Sequence, residues 1–321
     1  MRPVIDRRKW WGFLMLVVAA TLVAPPRTLQ AGQSEDEKQK RYEPVSRTLP
    51  TKDGKTIKIT YYQSNRAKDA PVVVLLHNKD GNRFIWGGKD SGGFADRLQN
   101  EGCAVVTVDL RGHGESLGGA AGDKKSNREP RRGDYVAMVD FDLEAVRKFI
   151  FEEHQAGNLN MNKTAIVGPE VGATIAVFYA VNNWRKPRFD DAPVGSGRQT
   201  PRGEDVRALV LISPQQNVQG LALAQPLKFL SSPQLDVAFM VAVAKDDSQD
   251  KGQAKKAFDQ ISGVPDSDKR MYYNEYPGSA RGTELLGKRT KLEDHISVFL
   301  GKHLREPEIP WTDRRPANER N

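Results

Sequence analysis

The 321-residue sequence holds a single cysteine, Cys103, so no disulfide framework can staple it and stability must come from a packed core. Cys103 itself precedes an aliphatic run and reads as a small core residue. The five histidines fall nowhere into H-E-x-x-H or a similar spacing, which argues against a catalytic metal, and no cofactor is expected. Also missing is an apolar run of the roughly 20 residues that a spanning helix needs. The longest run, residues 10–24, stops at Pro25 and Pro26. Charge is not strongly one-sided either: Lys and Arg number 49 against 41 Asp and Glu, a net +8. The basic residues are scattered among acids without interleaved aromatics, which speaks against a nucleic-acid surface.

What is present begins with a secretory pattern. Residues 1–31 have a basic start, the apolar run and a small residue at Ala31, the grammar of a signal peptide. The expectation is an exported protein, periplasmic or secreted, with an N-terminal membrane anchor if the segment stays uncleaved. Arg7 and Arg8, followed by Lys9, Trp10 and Trp11, also resemble a twin-arginine signal. Removal of this segment takes away four of the eight net positive charges, leaving a mildly basic chain. Residues 32–46 are charged and nearly free of aliphatics and read as a solvated linker. A folded domain is expected over residues 47–304, with residues 184–205 a polar surface loop and residues 305–321 a disordered tail.

Within the domain, TLPTKDGKTIKITYY offers two β-prone runs around Asp53 and Gly54, a hairpin signal. Continuous aliphatic runs follow at PVVVLLH, CAVVTVDL, TAIVG, RALVLIS and VAFMVAVA, with RMYYNEY the last strand. Helical patterns alternate with them: FADRLQN, residues 135–156 with Leu143, Val146 and Ile150 on one face, QAKKAFDQI, and a final helix with Leu292, Ile296, Phe299 and Leu300. This alternation predicts an α/β chain with a mostly parallel central sheet, helices on both faces, and little room for a lid.

Five local patterns carry chemistry. GPEVG, residues 168–172, joins a strand to a small-residue helix in the manner of a G-x-S-x-G elbow, but with Glu170 in the middle. The others are HNKDGN after the first long strand, VDLRGHGES, AKDD at a strand end, and YPGSARGTELL. In this order they resemble the α/β-hydrolase family, especially its lid-poor esterase and serine aminopeptidase-like members, over roughly residues 50–304. The resemblance implies that Glu170 fills the nucleophile slot, Asp247 the acid slot (rather than Asp246) and Arg281 the histidine slot. It also implies an oxyanion-like pocket from His77, Asn78, Lys79 and Val171, with Asn78 where the family has Gly.

An arginine stays protonated at ordinary pH and cannot act as the base of a serine relay. The chain is therefore expected to lack serine-hydrolase catalysis and to serve a binding or structural role toward an unidentified ligand or protein partner. The alternative is an active hydrolase with Glu170 as carboxylate nucleophile or base, and a further one places the function in the tail or another surface. Glu170, Arg281 and Asp247 could join in an ion network, or each could simply be solvated in an open cleft. His113 reads as a loop-holding residue, His295 as a surface or half-buried residue of the last helix, and KDSGG, residues 89–93, as a chance match to a protease motif.

Overall fold

The computed structural model describes residues 42–87, 93–117, 130–287 and 289–320. The signal-peptide reading, linker residues 32–41 and most of KDSGG lie outside them. The predicted hairpin is β1 (Val45–Pro50) and β2 (Thr56–Tyr62), paired antiparallel, with Gly54 at φ 77° in its turn. The aliphatic runs become β3 (Val72–Leu75), β4 (Ala104–Asp109), β5 (Thr164–Pro169) and β6 (Val206–Ile212). A separate two-residue ladder, β7 (Asn217–Val218) with β8 (Leu221–Ala222), precedes β9 (Ala238–Ala244) and β10 (Met271–Tyr276).

Eight strands form one sheet in the order β1-β2-β4-β3-β5-β6-β9-β10, antiparallel at β1-β2 and β2-β4 and parallel elsewhere. The continuous aliphatic strands are explained by burial on both faces. Successive side chains alternate between two cores: Val72 and Val74 face one, Val73 and Leu75 the other. The first core is closed by α3 (Leu143–Gln155), α4 (Val171–Trp184), α5 (Ala224–Leu230) and α6 (Gln253–Ser262). The second is closed by α1 (Phe94–Asn100) and α8 (Leu292–Leu300). The short helices α2 (Arg132–Ala137) and α7 (Ser267–Arg270) complete the set used below.

Three expectations need correction. The single helix over residues 135–156 is interrupted by a π-helical turn, Met138–Asp142, between α2 and α3. Asp142, the last residue of that turn, is buried and binds Arg111. The linker ends earlier than expected, because Val45 and Ser46 already pair with β2 through their backbones although their side chains stay exposed. The tail is not disordered. Residues 309–314 bind the segments that lead into β5 and β6, where Arg314, 4% exposed, pairs with Asp205 at 2.7 Å. Asp205 also binds Arg147 at 2.7 Å and Asn183 at 2.8 Å. Burial alone would raise the Asp205 carboxyl, but Arg314 and Arg147 hold it below the ordinary carboxylate value. Trp311 stacks on the buried His154 ring at 4.8 Å. A polar composition misled the sequence reading here, because ion pairing rather than aliphatic burial holds the segment.

Candidate functional site

β5 delivers the chain to the C-terminal edge of the sheet, and one residue turns it into α4. That residue, Glu170, holds φ 50° and ψ −112°, a conformation that costs a non-glycine residue about 1–3 kcal/mol. The surroundings enforce it: the Glu170 N–H donates to the Ile212 carbonyl at 2.7 Å, and its carbonyl accepts from the Ala173 N–H at 3.1 Å. Two glycines make room. A Cβ on Gly168 would run into the Gly172 backbone, and one on Gly172 would come within 2.7 Å of the His77 carbonyl.

The structure brings Glu170, Arg281 and Asp247 together. Arg281, in the loop after β10, donates from Nε to Glu170 Oε2 at 3.0 Å and from Nη1 to Asp247 Oδ2 at 2.7 Å. The side chains of Arg281, Glu170 and Asp247 are 11%, 18% and 2% exposed, so the set is largely withdrawn from water rather than solvated in an open cleft. Asp247 stands in the turn after β9, and its other oxygen accepts the Gln249 N–H at 2.9 Å. Asp246 is exposed. Gly282 is held by its N–H to the buried Ser213 hydroxyl at 3.0 Å, and a Cβ there would overlap the Glu170 carboxylate. The trio carries one net negative charge, and its central guanidinium cannot take up a proton.

The loop after β3 differs from the expected oxyanion-like pocket. His77 Nε2 accepts the Leu110 N–H at 3.1 Å, which assigns the ring proton to Nδ1, 2.6 Å from the Asn78 carbonyl. Burial pushes the His77 pKa down to about 4, so the ring is neutral, and both nitrogens are committed to backbone. His77 is therefore a loop anchor and not a ligand contact. Asn78 Nδ2 reaches Glu170 Oε1 at 3.4 Å. Lys79 contributes its carbonyl, which lies 2.6 Å from His113 Nε2, while His113 Nδ1 lies 2.9 Å from the Arg111 carbonyl. The two histidine rings sit 4.7 Å apart, each tying one loop to the other. Val171 opens α4, so its N–H has no acceptor within the helix and points a donor out of the first turn beside Glu170. His295 bonds Tyr276 Oη at 2.8 Å.

Sequence reasoning missed how much of VDLRGHGES is scaffolding. Buried Asp109 accepts the Arg83 N–H at 2.6 Å and the Glu115 N–H at 2.8 Å, besides pairing with the Arg83 guanidinium. Arg111 bridges Asp142 and Asp53, at 2.7 and 2.6 Å. The signal was a motif rich in charge on a buried strand end, which has to be internally paired. Beyond Asp247 a groove of about 530 Å3 is lined by Lys245, Lys251, Lys255, Asp250, Tyr273 and Glu275. Among the described residues, no group of three or more metal-binding side chains is assembled and no helix is long and apolar enough to cross a membrane.

Solved structures supply the frame for this geometry. The esterase Pf2001 from Pyrococcus furiosus is 13% identical and matches 82% of this chain and 91% of its own, with a TM-score of 0.55. The chain has the α/β-hydrolase fold. The Pyrococcus horikoshii acylaminoacyl peptidase is 13% identical over 86% of this chain and 44% of that one, with a TM-score of 0.57. A predicted CIB-like hydrolase from Thermoplasma acidophilum is 13% identical over 80% of this chain and 98% of that one, with a TM-score of 0.51. No family model matches the sequence, and no curated protein matches it.

Proposed function

We propose that this α/β-hydrolase-fold chain does not perform serine hydrolysis and instead acts, outside the cytoplasm, as a binding or structural protein centred on Glu170, Arg281 and Asp247. The observation that carries this reading is the placement of one guanidinium between two carboxylates at the sheet edge, 3.0 and 2.7 Å from them. A hydrolytic relay needs a group that takes a proton from the nucleophile and returns it to the leaving group. Arginine cannot do so. The carboxylate-nucleophile alternative is weakened by the same contacts. Glu170 Oε2 is already bound to Arg281, and the ester formed by attack of Glu170 would need a base to activate water.

The test is direct. The purified protein is expected neither to label with a fluorophosphonate nor to turn over nitrophenyl esters above background, and stoichiometric labelling of any serine overturns the reading. An epoxide that leaves a covalent adduct at Glu170 in peptide mass spectra would instead establish the alternative. The export component rests on residues 1–31 and has its own test. Fused to a reporter, they should carry it out of the cytoplasm with cleavage near Ala31; retention inside rejects it.

A further inference from the structure

Residues 309–314, IPWTDR, are held in the manner of a bound peptide. None of them joins a strand ladder, and side chains read their backbone instead. Asn160 Nδ2 donates to the Ile309 carbonyl at 2.9 Å, Asn162 Nδ2 to the Pro310 carbonyl at 3.1 Å and His154 Nε2 to the Thr312 carbonyl at 2.8 Å. Two anchors accompany these bonds. Trp311 stacks on the His154 ring and donates from Nε1 to the His154 carbonyl at 3.0 Å. Arg314 enters a buried slot, where Asp205, Asn162 and the carbonyls of Pro201 and Gly203 accept its guanidinium. These partners all lie within residues 154–162 and 201–205. The segment reaches them from the helical turn ending at Arg305 through Glu306, Pro307 and Glu308, of which both glutamates are exposed.

We propose that residues 154–162 and 201–205 form a peptide-binding site for an extended segment carrying Trp and Arg three residues apart, and that a second copy of this chain supplies it, the two copies pairing by exchange of residues 309–314. The proposal goes beyond the reading above and does not depend on it, since the site lies at the opposite end of β5 from Glu170. The contacts are made by the segment's own side chains and carbonyls, so a segment arriving from another copy makes the same set. Exchange between two copies is reciprocal: both sites are filled and the pair closes with two-fold symmetry. A peptide without the arginine would leave the Asp205 carboxylate with Arg147 as its one cation. Pro307 and Pro310 restrict the backbone, which lowers the cost of ordering the segment on the site. The link sets the balance between the two forms. While it spans the distance, the chain's own segment competes at an effective concentration on the order of millimolar; a link too short to span it removes that competitor.

The experiment deletes Pro307 and Glu308 from the full chain, which shortens the link by about 7 Å, and reads molar mass by light scattering at about 10 μM, far below that effective concentration. The wild-type chain is expected to be a monomer there and the shortened chain a dimer. Adding Trp311→Ala to the shortened chain should weaken the dimer at least about tenfold, the effect of losing one anchor. A shortened chain that stays monomeric, or a dimer indifferent to Trp311→Ala, overturns the proposal. A second measurement does not need the deletion. A fluorescent peptide of residues 306–320 is titrated into the full chain carrying Trp311→Ala, whose own segment has lost one anchor. The peptide should bind there at least about tenfold more tightly than to the wild-type chain, and Arg314→Ala in the peptide should remove binding. Equal binding of the two peptides, or binding of neither, overturns the proposal as well.

Discussion

Glu170 and Gly282 are packed so closely that a Cβ at position 282 would overlap the Glu170 carboxylate. Gly282 also holds φ 53°, a left-handed conformation. Gly282→Ala should therefore carry two costs, the backbone strain and the displaced carboxylate, together about 1–3 kcal/mol. Combined with Glu170→Ser, only the first remains. A double-mutant cycle from urea melts is expected to show coupling of at least about 0.5 kcal/mol between the two positions. Strict additivity would mean that the carboxylate does not occupy this place.

Removing the shared cation should be worse than removing one anion. Arg281→Ala leaves Glu170 and the buried Asp247 as neighbouring carboxylates, a loss on the order of 3 kcal/mol. Glu170→Ser keeps the Arg281–Asp247 pair and should cost under about 1 kcal/mol. The ranking of the two urea midpoints is the readout, and equal midpoints would contradict the ion chain.

The C-terminal segment should prove part of the fold. Arg314→Ala strips Asp205 of one of its two cations and leaves a buried carboxylate under-compensated, which is expected to cost about 3 kcal/mol. Arg315→Ala is the comparison, because its partner Asp313 is itself partly exposed and the pair spans only two residues. It should change stability by less than about 1 kcal/mol. Matching effects for the two arginines would argue that the segment is not docked.

Acid should loosen the same segment. The buried His154 accepts the Met161 N–H at Nδ1, 3.2 Å, and faces the Thr312 carbonyl from Nε2 at 2.8 Å, so it is neutral in the fold. Its pKa is lowered, first by burial and then by Arg314, against the opposing pull of Asp205. Lys68 lies 4.3 Å over Trp311, the ring stacked on His154, adding a further cation nearby. A histidine whose folded pKa is depressed contributes stability that is present above its unfolded value, about 6.5, and lost as pH falls through the folded value. Hydrogen exchange at residues 309–314, corrected for intrinsic rates, is expected to accelerate from neutral pH downward and to lose that dependence in His154→Gln. A flat profile in the wild-type protein would refute the coupling.

The strands were legible because burial on both faces leaves unbroken aliphatic runs such as Val72–Leu75, and the elbow was legible because Gly168 and Gly172 are demanded by backbone contact. The meeting of Glu170, Arg281 and Asp247 could be anticipated from slots in an ordered set of motifs, YPGSARGTELL around Arg281 among them. The role of His77 was not legible, since a ring bonded to backbone on both sides and one open to a ligand have the same neighbours in sequence. The docking of Arg314 was hidden for a related reason: its partner Asp205 lies 109 residues away, and composition reports only that both are charged.

The position of Arg314 has a consequence for the order in which the molecule can be completed during synthesis. Asp205 stands just before the strand β6 in the middle of the sheet, yet one of its two cations lies 109 residues further along the chain. Until Arg314 has been made, only Arg147 of the two can match that carboxylate. A nascent chain can thus form the strands and the elbow while its ion balance remains unfinished, and a ribosome that stops before Arg314 releases a product with the whole sheet and a half-compensated carboxylate beneath it. Translation past residue 314 is in this way registered inside the fold.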